Sequence, residues 1–319
     1  MDKKTARSIL WKSNGLFQTL GVFIFLFIAM SIVLPRFLTI TNQLNLIRQM
    51  AVNLIVAAGM TFLILTGEFD ISVGAVLALT ATVAGKLIPT IGTLPGCMLA
   101  LLIGPAFGLF HGVIVTKAKI PSFIATLGSM MMARSLAFVV TKGQIISNLP
   151  ESFKFLGQGS LGGVPFSLFI VIAIYCIGFF VLTKTPFGNK VYAIGSNRKI
   201  ASLFGIQADR VKTICFIIVG ALTSFSGIVL LSRIAAIQAD TARGLEFDVI
   251  AAVVIGGTSL YGGEGNILQT IIGVIIIGLI HNFLNLSHIN IFWQEFATGL
   301  MIIIAVLIDA LRKRIALRA

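Results

Sequence analysis

Apolar residues run along this chain in long stretches broken by short polar segments, with no sustained alternation that would point to strands. A helix needs about 20 residues to cross a ~30 Å hydrocarbon layer. On that measure the pattern predicts ten membrane-spanning helices, at about 16–35, 44–66, 71–88, 95–116, 122–141, 164–182, 211–231, 248–260, 266–286 and 291–311. The eighth stretch is short for a full crossing and reads as a span or a re-entrant segment. The first follows a basic start (Lys3, Lys4, Arg7, Lys12), as a signal peptide does. Its apolar core runs straight into Pro35-Arg36 without a small-x-small cleavage site, so it reads as a retained helix.

Composition narrows the class. Hydrophobic residues make up 57% of the 319 residues and charged ones only 11%, far from the ~25% charged of soluble domains. The expected fold is an all-α polytopic membrane protein, one domain over 1–319, with no room for a separate soluble catalytic domain. Cys97, Cys176 and Cys215 lie in or beside apolar runs without metal-ligand spacing and read as small apolar side chains.

The net charge of +13 raises nucleic acid as a partner, but its distribution speaks for topology instead. With ten spans and the N-terminus inside, the inner side receives the basic start, Lys117 and Lys119. It also receives the connection 184–212 (Lys184, Lys190, Arg198, Lys199, Arg210, Lys212) and the terminal Arg312, Lys313, Arg314 and Arg318. The outer side receives only Arg36, Lys86, Lys142, Lys154, Arg233 and Arg243. Basic residues gather on the cytoplasmic side of membrane proteins, which favours both termini inside. A recurring tripeptide reads as a duplication or as coincidence. Glu68-Phe69-Asp70 and Glu246-Phe247-Asp248 fall on opposite faces in this topology, as an inverted repeat of spans two to five and seven to ten requires.

Two connections stand out. In 184–212, Ser196 or Asn197 can cap a short helix that Gly205 can end. Ile200, Leu203 and Phe204 at i, i+3, i+4 give it one apolar edge. Such a helix suits either seating in a partner's groove or lying on lipid head groups. The outer connection 142–163, rich in Gly, Ser, Asn and Pro, suits a docking surface or a solvated link.

Ionisable groups inside a membrane cost about 2.5–3.5 kcal/mol at mid-bilayer. Arg134, about midway along the fifth span, therefore needs a partner: Asp70, Asp248 or helix-end carbonyls. Arg48, near a span's outer end, can snorkel. His111 and His281 on apolar faces read as packing residues before ligands, and Trp293 with Glu295 suits an interfacial helix start. No Ser/His/Asp, Cys/His or paired-carboxylate arrangement can be assembled, which disfavours an enzyme. A phosphate-cradling Gly-x4-Gly-Lys-(Ser/Thr) is missing too: Gly85-Lys86 continues into Leu87. The glycines at 256, 257, 262, 263 and 265 read as a tight turn with close approach of the eighth and ninth spans, or as part of a pathway.

The segment Gly195-Ser196-Asn197 through Gly205-Ile206 resembles the ATPase-contacting loop of ribose-type sugar permeases of ATP-binding-cassette importers, within the branched-chain amino acid/ribose permease superfamily. The resemblance extends to Gly67–Gly74, where Asp70-Ile71-Ser72-Val73-Gly74 resembles a signature. It includes Pro121–Gly128 with Arg134, and the block from Gly244 to Gly265. The chain departs from the pattern at Glu68-Phe69 and at Lys199-Ile200.

The resemblance implies an import permease in the bacterial cytoplasmic membrane for a small hydrophilic solute, most simply a monosaccharide such as ribose. A sugar-like signal molecule, a nucleoside or a branched-chain amino acid remains open as cargo. It implies as partners an ATP-binding-cassette ATPase subunit that uses ATP and Mg, an extracytoplasmic solute-binding protein and a second permease, like or unlike. It implies no cofactor or metal of the chain's own and no nucleic acid. Gly195, Asn197, Ile200, Ala201, Leu203, Phe204, Gly205 and Ile206 become ATPase-coupling candidates. Asp70, Ser72, Gly74, Arg134, Glu246, Asp248 and the glycines at 256, 257, 262, 263 and 265 become pathway or structural-motif candidates. The competing class is a proton- or sodium-coupled carrier with Asp70 and Asp248 as ion sites, though both sit near predicted helix ends.

Overall fold

A computed structural model describes residues 19–318. The basic start of the chain and the beginning of its first span lie outside the described residues. Each of the ten predicted spans has a helical counterpart. The long helices are α2 (Ile40–Leu65), α3 (Val73–Ile91), α4 (Thr93–Leu101) continued by α5 (Ile103–Thr116), α6 (Ser122–Thr141), α8 (Phe166–Lys184), α11 (Ala208–Ile234) and α13 (Ile267–Leu286). Among the described residues these make seven stretches long and apolar enough to cross a membrane, α4 and α5 counting as one. The shorter apolar α1 (Thr19–Val33), the 11-residue α12 (Leu245–Ile255) and the 28-residue α14 (Ile291–Arg318) complete the set. Between them lie α7 (Glu151–Gln158), α9 (Pro186–Ser196) and α10 (Arg198–Leu203).

The core forms around α2 and α11. From Met50 to Leu65 nearly every α2 side chain is buried, as expected of a helix apolar on all sides. Because lipid supplies no hydrophobic drive between helices, polar ties and close backbone approach hold them together. Ser226 donates to the Val52 carbonyl at 2.8 Å, joining α11 to α2; Thr61 and Thr270 hydroxyls meet at 2.9 Å, joining α2 to α13. Along α5, Gly104, Gly108 and Gly112 lie one turn apart and face α11. A Cβ at Gly104 would strike the Gly220 carbonyl, and one at Gly108 the Phe216 carbonyl. By contrast α8 presents Ile172, Ile177 and Phe180, and α6 presents Phe123, Ile124 and Met131, on exposed apolar faces fit for lipid or another subunit.

Two expected elements differ in detail. The 95–116 span is interrupted at Leu102. Pro105 has no N–H to offer the Leu101 carbonyl four residues back, and Ser224 of α11 donates to that carbonyl instead, at 3.1 Å. The eighth helix begins at Leu245, not 248, and ends at Ile255, not 260. Gly244, at φ 86°, turns the chain into it. The first turn thereby carries Glu246 and Asp248, whose charge suits a helix N-terminus.

The connection 142–163 is less free than a solvated link. Ile146 bridges Ile237, and the Gly157 N–H donates to Ser232 at 2.8 Å, fastening α7 to the end of α11. Its tip is a small hairpin, β1 (Ser160–Leu161) and β2 (Val164–Pro165), turned by Gly162 and Gly163, both at positive φ.

Candidate functional site

The short helix α10 is built as its sequence suggests. Asn197 caps it, its side-chain oxygen accepting from the Ile200 N–H at 3.1 Å, and Gly205 leaves it at φ 75°. Arg198 pairs with Asp209 at 2.7 Å and ties the helix to the start of α11. Ala201 is buried and Ile206 half-buried against the core. Ile200, Leu203 and Phe204 are 52%, 85% and 81% exposed, so the helix turns its apolar edge away from its own chain.

Behind α10, the end of α9 is wedged into a joint of glycines. A Cβ at Gly195 would collide with the Leu65 carbonyl at the end of α2 and with the Gly263 N–H. Gly263 donates to that same carbonyl at 2.9 Å, and a Cβ on Gly263 would meet Ser196 Oγ at 2.5 Å. Gly262, at φ 83°, lies against the Gly67 N–H, and a Cβ there would come within 2.7 Å. Tyr192 of α9 donates its phenol hydrogen to the Gly265 carbonyl at 3.0 Å. Burial pushes the Tyr192 phenol up from its ordinary value, so it stays the donor. Nearby, Lys212 of α11 forms an ion pair with Glu68, both largely buried. The backbones of three segments thus meet where no side chain fits. Gly256 serves a different contact, with α13: a Cβ there would lie 2.7 Å from the Gln269 carbonyl. Gly257, at φ 95°, begins the turn after α12.

At the far end of α12 lies a cavity of about 1000 Å³, walled by α6, the start of α12, His281 of α13 and the first turns of α14. Four of the chain's 11 acidic residues line it: Asp240, Glu246, Asp248 and Glu295. Arg134 also lines it but pairs with none of them; its guanidinium donates to the Ala239 and Thr241 carbonyls at 2.8 and 2.9 Å. Its partners are neither Asp70 nor Asp248 nor a helix end but carbonyls of the turn between α11 and α12. Asp248 accepts from His281 Nε2 at 3.1 Å and from the Thr298 hydroxyl at 3.3 Å, joining α12, α13 and α14. Glu246 Oε1 accepts from the Gly244 N–H at 3.2 Å, and its Oε2 rests over Gly74 with no hydrogen-bond partner. A side chain at Gly74 would displace that carboxylate.

Asp70 and Ser72 stand apart from this cavity. Asp70 is buried, accepting from the Ser72 N–H and hydroxyl at 2.7 and 2.6 Å and facing His111 Nδ1 at 3.0 Å. Phe107, Phe110 and Phe216 surround the His111 ring, whose Nε2 has no partner. A carboxylate only accepts, so the ring donates from Nδ1. Both Glu-Phe-Asp segments therefore end in the same pair: Asp70 with a histidine 41 residues on, Asp248 with one 33 residues on. One pair is buried and the other borders the cavity. Arg48 donates to the Gln158 carbonyl and to Ser160, both at 3.1 Å, and so holds the hairpin loop.

Sequence reasoning did not find His281, Thr298 and Tyr192 as partners or the Glu68–Lys212 pair. The recurrence of Glu-Phe-Asp along the chain was the available signal for the first.

The chain has relatives among known proteins. The family described as branched-chain amino acid transport system/permease component matches residues 42–306. The chain is similar to the ribose import permease protein of Bacillus subtilis, at 43% identity over 93% of this chain and 94% of that one. It is similar to the ribose import permease protein of Haemophilus influenzae at 39% over 90% of each. Its identity to the L-arabinose ABC transporter permease protein of Azospirillum brasilense is 34%, over 97% of this chain and 91% of the relative. No solved structure matches the chain.

Proposed function

The chain belongs to the branched-chain amino acid transport system/permease component family, and on that premise we propose that it is the permease subunit of an ATP-binding-cassette sugar importer. It is a multi-pass protein of the bacterial inner membrane, and the names of its relatives support a monosaccharide such as ribose or arabinose as cargo. Its partners in this reading are an ATPase subunit inside, a solute-binding protein outside and a second permease, like or unlike. The chain itself is no enzyme and holds no cofactor; ATP and Mg belong to the ATPase. Both termini lie in the cytoplasm, as the basic connections favour.

The observation that carries the reading is the exposed apolar edge of α10, with Leu203 and Phe204 turned outward from a helix held at both ends. The ATPase seats on that edge. Displacement of α9 and α10 then reaches the α12–α13 loop through Gly195, Ser196, Gly262, Gly263 and the Tyr192–Gly265 bond. From there it enters α12, a strut of 11 residues, about 16 Å at 1.5 Å per residue. Its other end carries Glu246 and Asp248 in the cavity wall. A push at the lever therefore moves the cavity, which is the solute pathway, without any chemistry in this chain. Glycine joints suit the task because packed backbones transmit displacement with little compliance.

The test is uptake. Cells lacking only this chain, with ATPase and binding protein retained, should lose uptake of labelled ribose or arabinose and recover it when the chain is restored. Unchanged uptake of both sugars would refute the assignment.

A further inference from the structure

The cavity at the start of α12 has the chemistry of a sugar site and not merely of a passage. We infer that it is a polyol-binding subsite within the permease, selective for uncharged sugars over their anionic derivatives. The inference rests on the permease reading and adds to it: selection then occurs in the membrane as well as before it.

Three observations carry it. First, at about 1000 Å³ the cavity lies at the top of the ~300–1000 Å³ range of small-molecule sites and accepts a monosaccharide with water to spare. Second, Phe138 and Phe247 line it with their side chains nearly half exposed. Their apolar ring faces match the C–H face of a sugar ring, which has no hydrogen bonds to offer. Third, the polar groups of the wall are mostly acceptors. Asp248, already held by His281 and Thr298, keeps lone pairs free for hydroxyl donors. Asp240 and Glu295 add two more carboxylates that make no ion pair among the described residues. Arg134, held by backbone carbonyls, and Arg243 are the two lining guanidiniums, neither in an ion pair among the described residues, so the four carboxylates of the wall outnumber them. Hydroxyl groups are donors that such a wall can satisfy. A carboxylate or phosphate on the solute would face like charge at close range, where low dielectric strengthens the repulsion.

The experiment uses the full chain in lipid nanodiscs, with saturation-transfer NMR reporting contact with D-ribose, L-arabinose, D-ribonate and ribose 5-phosphate. At least one neutral sugar should give ring-proton signals, and neither anion should. Asp248→Asn should weaken sugar binding about tenfold, the size expected for one hydrogen bond to a charged group. Phe247→Ala should reduce the ring-proton signals, and Asp240→Asn with Glu295→Gln should admit D-ribonate, each in protein whose size-exclusion profile is unchanged. Silence from both neutral sugars, equal binding of ribose and ribonate, or sugar signals indifferent to both Asp248→Asn and Phe247→Ala would each overturn the subsite. Cellular uptake separates this failure from that of the permease reading: uptake without a subsite signal sinks only the former.

Discussion

Tyr192 donates its phenol hydrogen to the Gly265 carbonyl at 3.0 Å, and that bond links α9 to the loop between α12 and α13. The partners are 73 residues apart in sequence, so the bond reports a tertiary joint rather than a local turn. Tyr192→Phe keeps the ring and removes the donor. A neutral hydrogen bond contributes about 0.5–1.5 kcal/mol net, so the folded protein should survive. Coupling should suffer more than folding. In the reconstituted importer, stimulation of ATP hydrolysis by the sugar-loaded binding protein should fall severalfold while complex yield stays normal.

Leu203 and Phe204 contribute nothing to the chain's own core, being more than four-fifths exposed. Replacing both by Asp should therefore leave insertion and thermal stability within about 0.5 kcal/mol of the parent, as for other surface changes. Co-purification with the ATPase and sugar uptake should both be lost. Normal uptake by this double variant would remove α10 from the coupling path.

The two Asp–His pairs predict unequal costs for the same substitution. His111→Leu leaves the fully buried Asp70 carboxylate with only the Ser72 N–H and hydroxyl, out of reach of water, and taking a partner from a buried charged group costs about 3 kcal/mol. His281→Leu leaves Asp248 beside the cavity with Thr298 still bonded to it, at a cost nearer 1 kcal/mol. Thermal unfolding of the two variants in the same detergent should show the first much less stable. Its transport defect should follow its stability, whereas that of the second should not.

Much of this was legible in the sequence because lipid imposes a one-dimensional rule: a helix must be long and apolar enough to cross. Helix positions follow from that, whereas the short helix that Asn197 caps and Gly205 ends follows from its capping residues. The boundaries of α12 did not, because Gly244 sets them through a positive φ and the acidic first turn hides the start of an apolar run. Nor did the break at Leu102, although Pro105 was in plain view, since its tolerance depends on a hydroxyl from Ser224, 123 residues from the carbonyl it satisfies. The Asp70–His111 and Asp248–His281 pairs are likewise tertiary. Only the echo of Glu-Phe-Asp hinted at them, and the glycines at 104, 108 and 112, spaced every fourth residue, were an unused signal of the α5–α11 contact.

The central claim is that this chain moves a sugar only when driven through α10 by a separate ATPase. Vesicles containing the chain alone, loaded with an inward proton or sodium gradient, should accumulate no labelled ribose or arabinose. The same vesicles with ATPase and ATP inside and binding protein outside should accumulate it. Gradient-driven uphill uptake by the chain alone would contradict the account.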